Sequence, residues 1–215
     1  MGYQGEAPES VSGGGGFLDE PGTYHFVINQ AFDDQGKRKK DGTRSAISGC
    51  TLELVCLGGT VDGCEGKSHS ETLFYPSPQG SEKANAVKLR ALAALLIASN
   101  QMTPDQLGGQ MEIDQSVLDA IVQRETQVVM KLRQQMENDG NGNYTVVTKF
   151  LELDYANVYH VDDPEVAAVP KDAEALGLLP KEHRHDEAWF SFKKRSAEPV
   201  AAAASSESFD MDDIV

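Results

Sequence analysis

Between Thr23 and Phe150 most apolar residues recur with the period of a strand, and one long stretch recurs with the period of a helix. That order admits few folds. In Thr23–Ile28 the even positions Tyr24, Phe26 and Ile28 form one apolar face. A second strand is expected from Ile47 to Leu57, where Cys50, Leu52, Leu54 and Cys56 alternate with Thr51, Glu53 and Val55, before a turn at Gly58–Gly59. Lys67–Tyr75 reads as a third strand, stopped by Pro76, which cannot donate to a ladder. Ser81 suits a helix N-cap, and Val87, Ala91, Leu92, Leu95 and Leu96 recur at helical spacing through Glu82–Ser99. A turn at Thr103–Pro104 and a second helical stretch over Ser116–Val122 follow. Strand character returns in Thr126–Met136, with Val128, Met130 and Leu132 on one face and Gln127, Val129, Lys131 and Arg133 on the other. The segment Asn138–Asn143 is built from residues that tolerate positive φ, so it should turn the chain back into Tyr144–Phe150 as an antiparallel partner.

Three strands, a helical insertion and a two-strand hairpin is the winding order of a five-stranded OB-type Greek-key barrel, a mainly β fold with one or two helices. The expected organisation is a flexible leader over 1–16, rich in glycine, a barrel over 17–163 with its helical insertion at 82–122, a packing strap over 164–197 and a disordered acidic tail over 198–215. Within the strap, Val169–Pro170 and Leu179–Pro180 bracket a short helix. One domain with polar appendages fits 215 residues of which 40% are hydrophobic. The longest apolar run, Ala91–Ala98, falls far short of the roughly 18 residues that cross a bilayer. Met1–Gly5 has neither a basic nor an apolar region of the kind that opens a secretory signal, so a cytoplasmic location is expected.

Catalytic and metal patterns fail on spacing. Gly66–Lys67–Ser68 has the end of a phosphate-binding loop, but the pattern needs glycine where Val61 stands and a helix where a strand follows. Ser68, His69, Ser70 and Glu71 are neighbours on a strand and point alternately to opposite faces, so they cannot converge as a triad. Cys50, Cys56 and Cys64 are spaced C-x₅-C and C-x₇-C rather than as a zinc pair, and they read as reduced core residues. His183 and His185 sit in a polar stretch and read as surface histidines. No enzyme activity, metal or cofactor is expected.

The charge distribution points to binding instead. The chain carries 34 acidic against 19 basic residues, a net charge of −15, yet the loop Asp33–Arg44 concentrates Lys37, Arg38, Lys39, Lys40 and Arg44. Single-strand binders combine a cationic track for phosphates with aromatic faces for bases. Lys131, Arg133 and Lys149 add cations on the hairpin, and Phe74, Tyr75, Tyr144 and Tyr155 are the aromatic candidates. From Glu198 onward the chain has five acids and no bases and ends Phe209–Asp210–Met211–Asp212–Asp213–Ile214–Val215. Such a polyanionic tip can compete for a cationic groove or recruit partners.

The stretch from Gly22–Thr23–Tyr24 through Gly66–Lys67 to the Asn143–Tyr144 hairpin resembles phage-encoded single-stranded DNA-binding proteins of the DUF669 type. The acidic terminus is similar to the tails of bacterial and phage single-strand binders, but closes on Ile214–Val215 rather than on phenylalanine. The resemblance implies an OB-fold that protects single-stranded DNA in replication, recombination or repair, in the host cytoplasm if phage-encoded, with the tail binding replication or recombination proteins. A homo-oligomer is compatible with the sequence. The competing expectation is a non-enzymatic protein-interaction module of phage or prokaryotic origin that does not bind DNA.

Overall fold

A computed structural model of the chain describes residues 16–34, 48–138 and 144–191. Among these residues the fold is mainly β with three α-helices. Five strands form one antiparallel sheet: β1 (Gly22–Asp34), β2 (Gly49–Gly59), β3 (Ser68–Phe74), β4 (Gln127–Asn138) and β5 (Tyr144–His160), in the spatial order β3-β2-β1-β4-β5. Helices α1 (Glu82–Ala98) and α2 (Gln115–Gln123) connect β3 to β4, and α3 (Ala173–Leu178) lies beyond β5.

The period-two residues face one core. Tyr24, Phe26 and Ile28 of β1, Cys50, Leu52, Leu54 and Cys56 of β2, and Val128, Met130 and Leu132 of β4 are all buried in it. Helix α1 starts where expected, with the Ser81 hydroxyl accepting from the Ala84 N–H at 3.3 Å. Its Ala91, Leu92 and Leu95 enter the same core, while Ala93, Leu96 and Ile97 pack with Met102 in a second cluster against Met111 and Trp189. Asp114 caps α2 by accepting from the Val117 N–H, and Leu118 and Ile121 fill the space below β1. Gln115 fixes this helix to the strand, accepting from the Asp33 N–H and donating to the Ala31 carbonyl.

Three expectations need correction. Asp33 and Asp34, read as the start of the basic loop, belong to β1, and β5 continues ten residues past Phe150. The Gly58–Gly59 pair ends β2 rather than turning the chain. The turn lies beyond it, where Gly63 and Gly66 adopt positive φ. Gly59 is required by proximity, since a Cβ there would sit 2.7 Å from the Tyr24 ring.

Around Val129 the outer face of β4 is covered. The strap folds over it, and Val129 joins Val161, Val166 and Leu179 in a third buried cluster flanked by Tyr159, Val169 and Leu176. Full burial of a valine contributes about 1.5 kcal/mol or more, so this face stabilises the strap. Polar ties reinforce it: Gln127 donates to the Ala175 carbonyl at 2.8 Å, and the His25 Nδ1 accepts from the Asp172 N–H at 3.3 Å.

The sheet stays open along one seam. Among the described residues no backbone ladder joins β3 to β5. Instead the carboxylate of Glu71 on β3 accepts from the Leu153 N–H of β5 at 2.7 Å. The free edge of β3 also receives residues 16–18: Phe17 forms a parallel bridge to Ser68, with the Leu18 N–H donating to the Ser68 carbonyl and the Ser68 N–H to that of Gly16.

Candidate nucleic-acid interface

Two clefts flank Glu71 at the β3–β5 seam. On one side of Glu71 lies a cleft of about 520 Å³ walled by Phe17, Ser70, Phe74, Gln135 and Phe150. On the other lies one of about 370 Å³ walled by Phe74, Val87, Lys88, Arg133 and Tyr155. Glu71, Thr72, Phe74 and Glu152 line both. Four aromatic rings therefore follow the seam, and they are solvent-exposed: Phe17 by 78%, Phe74 by 43%, Phe150 by 71% and Tyr155 by 64%. Exposed rings in such a row leave apolar surface uncovered, which is unfavourable unless something binds there.

Local backbone irregularities present two of these rings. The β4–β5 register slips between Gln134 and Met136, opposite the stretch preceding Leu151, and again between Met130 and Leu132, where Leu153 and Val158 bracket the extra residues. Such bulges turn side chains away from regular alternation. Phe150 borders the first and Tyr155 lies within the second. Tyr155 holds φ at +55°, a region costly for a bulky side chain and one that marks a position constrained by its surroundings. The Arg133 guanidinium covers one face of the Tyr155 ring at 4.7 Å from its centroid.

The remaining expected site residues divide into three groups. Tyr75 does not join the groove: it packs against the core and its hydroxyl donates to Asp33 at 3.1 Å, and burial raises its pKa. Tyr144 is exposed at the start of β5, beside exposed Val146. Lys131 and Arg133 are not free cations. Lys131 pairs with Asp154 at 3.0 Å, and Arg133 pairs with Glu152 at 2.9 Å and approaches Asp154 at 3.9 Å. Lys37, Arg38, Lys39, Lys40 and Arg44, the side chain of Lys149, and the tail Phe209–Val215 lie outside the described residues.

The polar groups inside the seam are engaged with one another. Glu71 is buried and engages three donors, the N–H groups of Leu153 and Thr72 and His69 Nε2, while His69 stacks on Phe26. Ser70 points the other way and donates to Glu53. Cys50, Cys56 and Cys64 are free and buried, and burial pushes the thiols of Cys50 and Cys56 up to about 12, far from a nucleophilic thiolate. Among the described residues no group of three or more His, Cys, Asp or Glu side chains is arranged to hold a metal.

The strap histidines are withdrawn from solvent, His183 fully and His185 in part. His183 is buried, and His185 stacks on Trp189 with centroids 3.8 Å apart and planes 8° from parallel. His160, also buried, donates from Nε2 to the His183 carbonyl at 2.6 Å and accepts at Nδ1 from the Asp162 N–H at 3.1 Å. Desolvation, aided by His185, holds its pKa down at about 4, so it is neutral. This network fastens the strap; it does not face the groove.

Phe17 and Phe150 escaped the sequence reading. Phe17 is an isolated aromatic after a glycine run, and Phe150 ends an alternating stretch whose partner register no local pattern reveals. The chain matches no protein-family model and no curated protein.

Proposed function

We propose that this protein is a non-catalytic binder of single-stranded DNA, built on an OB-type barrel and holding unpaired bases along the β3–β5 seam. The strand order, with the helical connection between β3 and β4, is compatible with OB winding, and the seam lies where β3 and β5 would meet in a closed barrel. The observation that carries the reading is the row of four exposed rings, Phe17, Phe74, Phe150 and Tyr155, in one groove. Base stacking on such rings tolerates any sequence and needs no catalytic group. The basic stretch Lys37–Arg44 is the proposed phosphate contact, and the acidic terminus the proposed contact to replication or recombination proteins, in phage-type replication, recombination or repair.

Titration of labelled oligo-dT tests this. Stacking is worth about 1–3 kcal/mol per base, so Phe74→Ala, Phe150→Ala and Tyr155→Ala should each weaken binding by roughly 5- to 150-fold. The log–log salt slope should be about −0.7 per phosphate neutralised. Absence of binding, or full binding by all three variants, overturns the reading. The groove's acidic residues Asp19, Glu71 and Glu152 favour a second reading, a protein-interaction module whose partner brings an apolar segment flanked by basic residues. That reading predicts no oligo-dT binding and an unchanged role for the same rings in partner capture.

A further inference from the structure

We infer that Glu152 and Asp154 act as built-in phosphate mimics, which keep the β4 cations closed to polyanions and reserve this end of the groove for strands with unstacked bases. The inference rests on the proposed binding of single-stranded DNA and concerns its selectivity.

Lys131 and Arg133 stand two residues apart on β4, and Glu152 and Asp154 two apart on the neighbouring β5. Two residues along a strand span about 6.8 Å, close to the spacing of successive phosphates in an extended nucleic-acid strand. The four side chains make a closed set: Lys131 Nζ to Asp154 Oδ2 at 3.0 Å, Arg133 Nη2 and Nε to Glu152 Oε1 at 2.9 and 3.1 Å, and Arg133 Nε near Asp154 Oδ1 at 3.9 Å. Two positive charges thus meet two negative ones, and the quartet offers a phosphate no net attraction. Lys131 remains half exposed, so burial is not what keeps it from a phosphate. The carboxylates are.

The same quartet borders a stacking surface. Arg133 lies over one face of Tyr155, and Tyr155 is still largely exposed, which leaves the rest of the ring open to solvent. A base stacking there gains free energy that does not depend on breaking the ion pairs. Duplex DNA and other polyanions whose bases are paired or missing gain nothing from the ring and are repelled by Glu152 and Asp154 as strongly as they are attracted by Lys131 and Arg133. Discrimination arises from withholding charge, which suits a chain whose net charge is −15.

The test compares the wild-type chain with a Glu152→Gln/Asp154→Asn variant, which keeps side-chain size and one acceptor oxygen at each position. The probes are oligo-dT, an abasic oligomer of the same length, and heparin. The double variant should bind the abasic oligomer and heparin roughly fivefold or more tightly than wild type, with a salt slope on the abasic strand steeper by about 0.7 for each cation released. Unchanged affinity for both polyanions in a variant with native circular dichroism and melting overturns the inference. Lys131→Gln supplies a second arm that leaves both carboxylates in place: a lysine already masked contacts no phosphate, so the salt slope on oligo-dT should not change, and a flattening by about 0.7 would show that Lys131 already contacts a phosphate and overturn the inference. Failure of wild-type protein to bind oligo-dT would overturn the proposed function, whereas the abasic and heparin arms decide the masking on their own.

Discussion

Replacing Glu71 with alanine removes the side chain that ties β3 to β5 across the open seam, and the consequence can be worked from its partners. The carboxylate accepts from the Leu153 N–H at 2.7 Å and the Thr72 N–H at 3.0 Å, and meets His69 Nε2 at 3.3 Å, with only 8% of the residue exposed. Hydrogen bonds to a charged group contribute about 1.5–3 kcal/mol each, and a buried donor left unpaired costs about 1–3 kcal/mol. Relief of the carboxylate's own desolvation offsets part of this, so Glu71→Ala should lose about 3–4 kcal/mol. Glu71→Gln keeps one acceptor oxygen without the charge and should lose about 1–2 kcal/mol. Urea denaturation at neutral pH measures both, and the Leu153 amide should lose its hydrogen-exchange protection selectively in the alanine variant. If Glu71→Ala stays within about 0.5 kcal/mol of wild type, or exchange at Leu153 is unchanged, the seam is held by something else.

Other consequences follow from the strap and the groove. His160 titrates at about 4 in the folded chain against 6.5 when unperturbed, because burial disfavours its charged form. The unfolded chain therefore binds a proton first as pH falls, so this contribution is intact above 6.5 and lost on going down to 4. At 1.36 kcal/mol per unit the loss is about 3 kcal/mol; thermal melts from pH 7.5 to 4 should show it, and His160→Gln should flatten the profile, while an unchanged dependence in that variant would contradict the account. His25, His183 and His185 are shifted down as well, so they add in the same direction. Tyr155→Gly relieves the positive φ and should leave the melting temperature equal or higher while weakening oligo-dT binding; a destabilised variant with wild-type affinity would assign Tyr155 to packing alone.

How much of this was legible in the sequence depends on what each residue answers to. Tyr24, Phe26 and Ile28, the Cys50–Cys56 alternation and the Ser81 cap obey local rules, so their placement followed from spacing. Val129 and His25 have the parity opposite to the core-facing residues of their strands, but a strap some 40 to 150 residues away covers them, and parity carries no information about a distant cover. His183 and His185 misled for the same reason: their polar neighbours suggested solvent, whereas His183 is buried and His185 packs between His160 and Trp189. The cations of β4 were legible as outward-facing but not as paired, since Asp154 reaches Lys131 only through a bulged register. Phe150 and Tyr155 flank or occupy those bulges, where period two breaks down.

What touches the seam rings decides whether they hold unpaired bases. Photo-crosslinking with a bromodeoxyuridine oligomer, followed by mapping of the adducts by mass spectrometry, asks this directly. Adducts on Phe17, Phe74, Phe150 or Tyr155 are the predicted result. Adducts confined to the strap, at Trp189 for example, or no adducts at all under conditions of saturating oligomer, would contradict it.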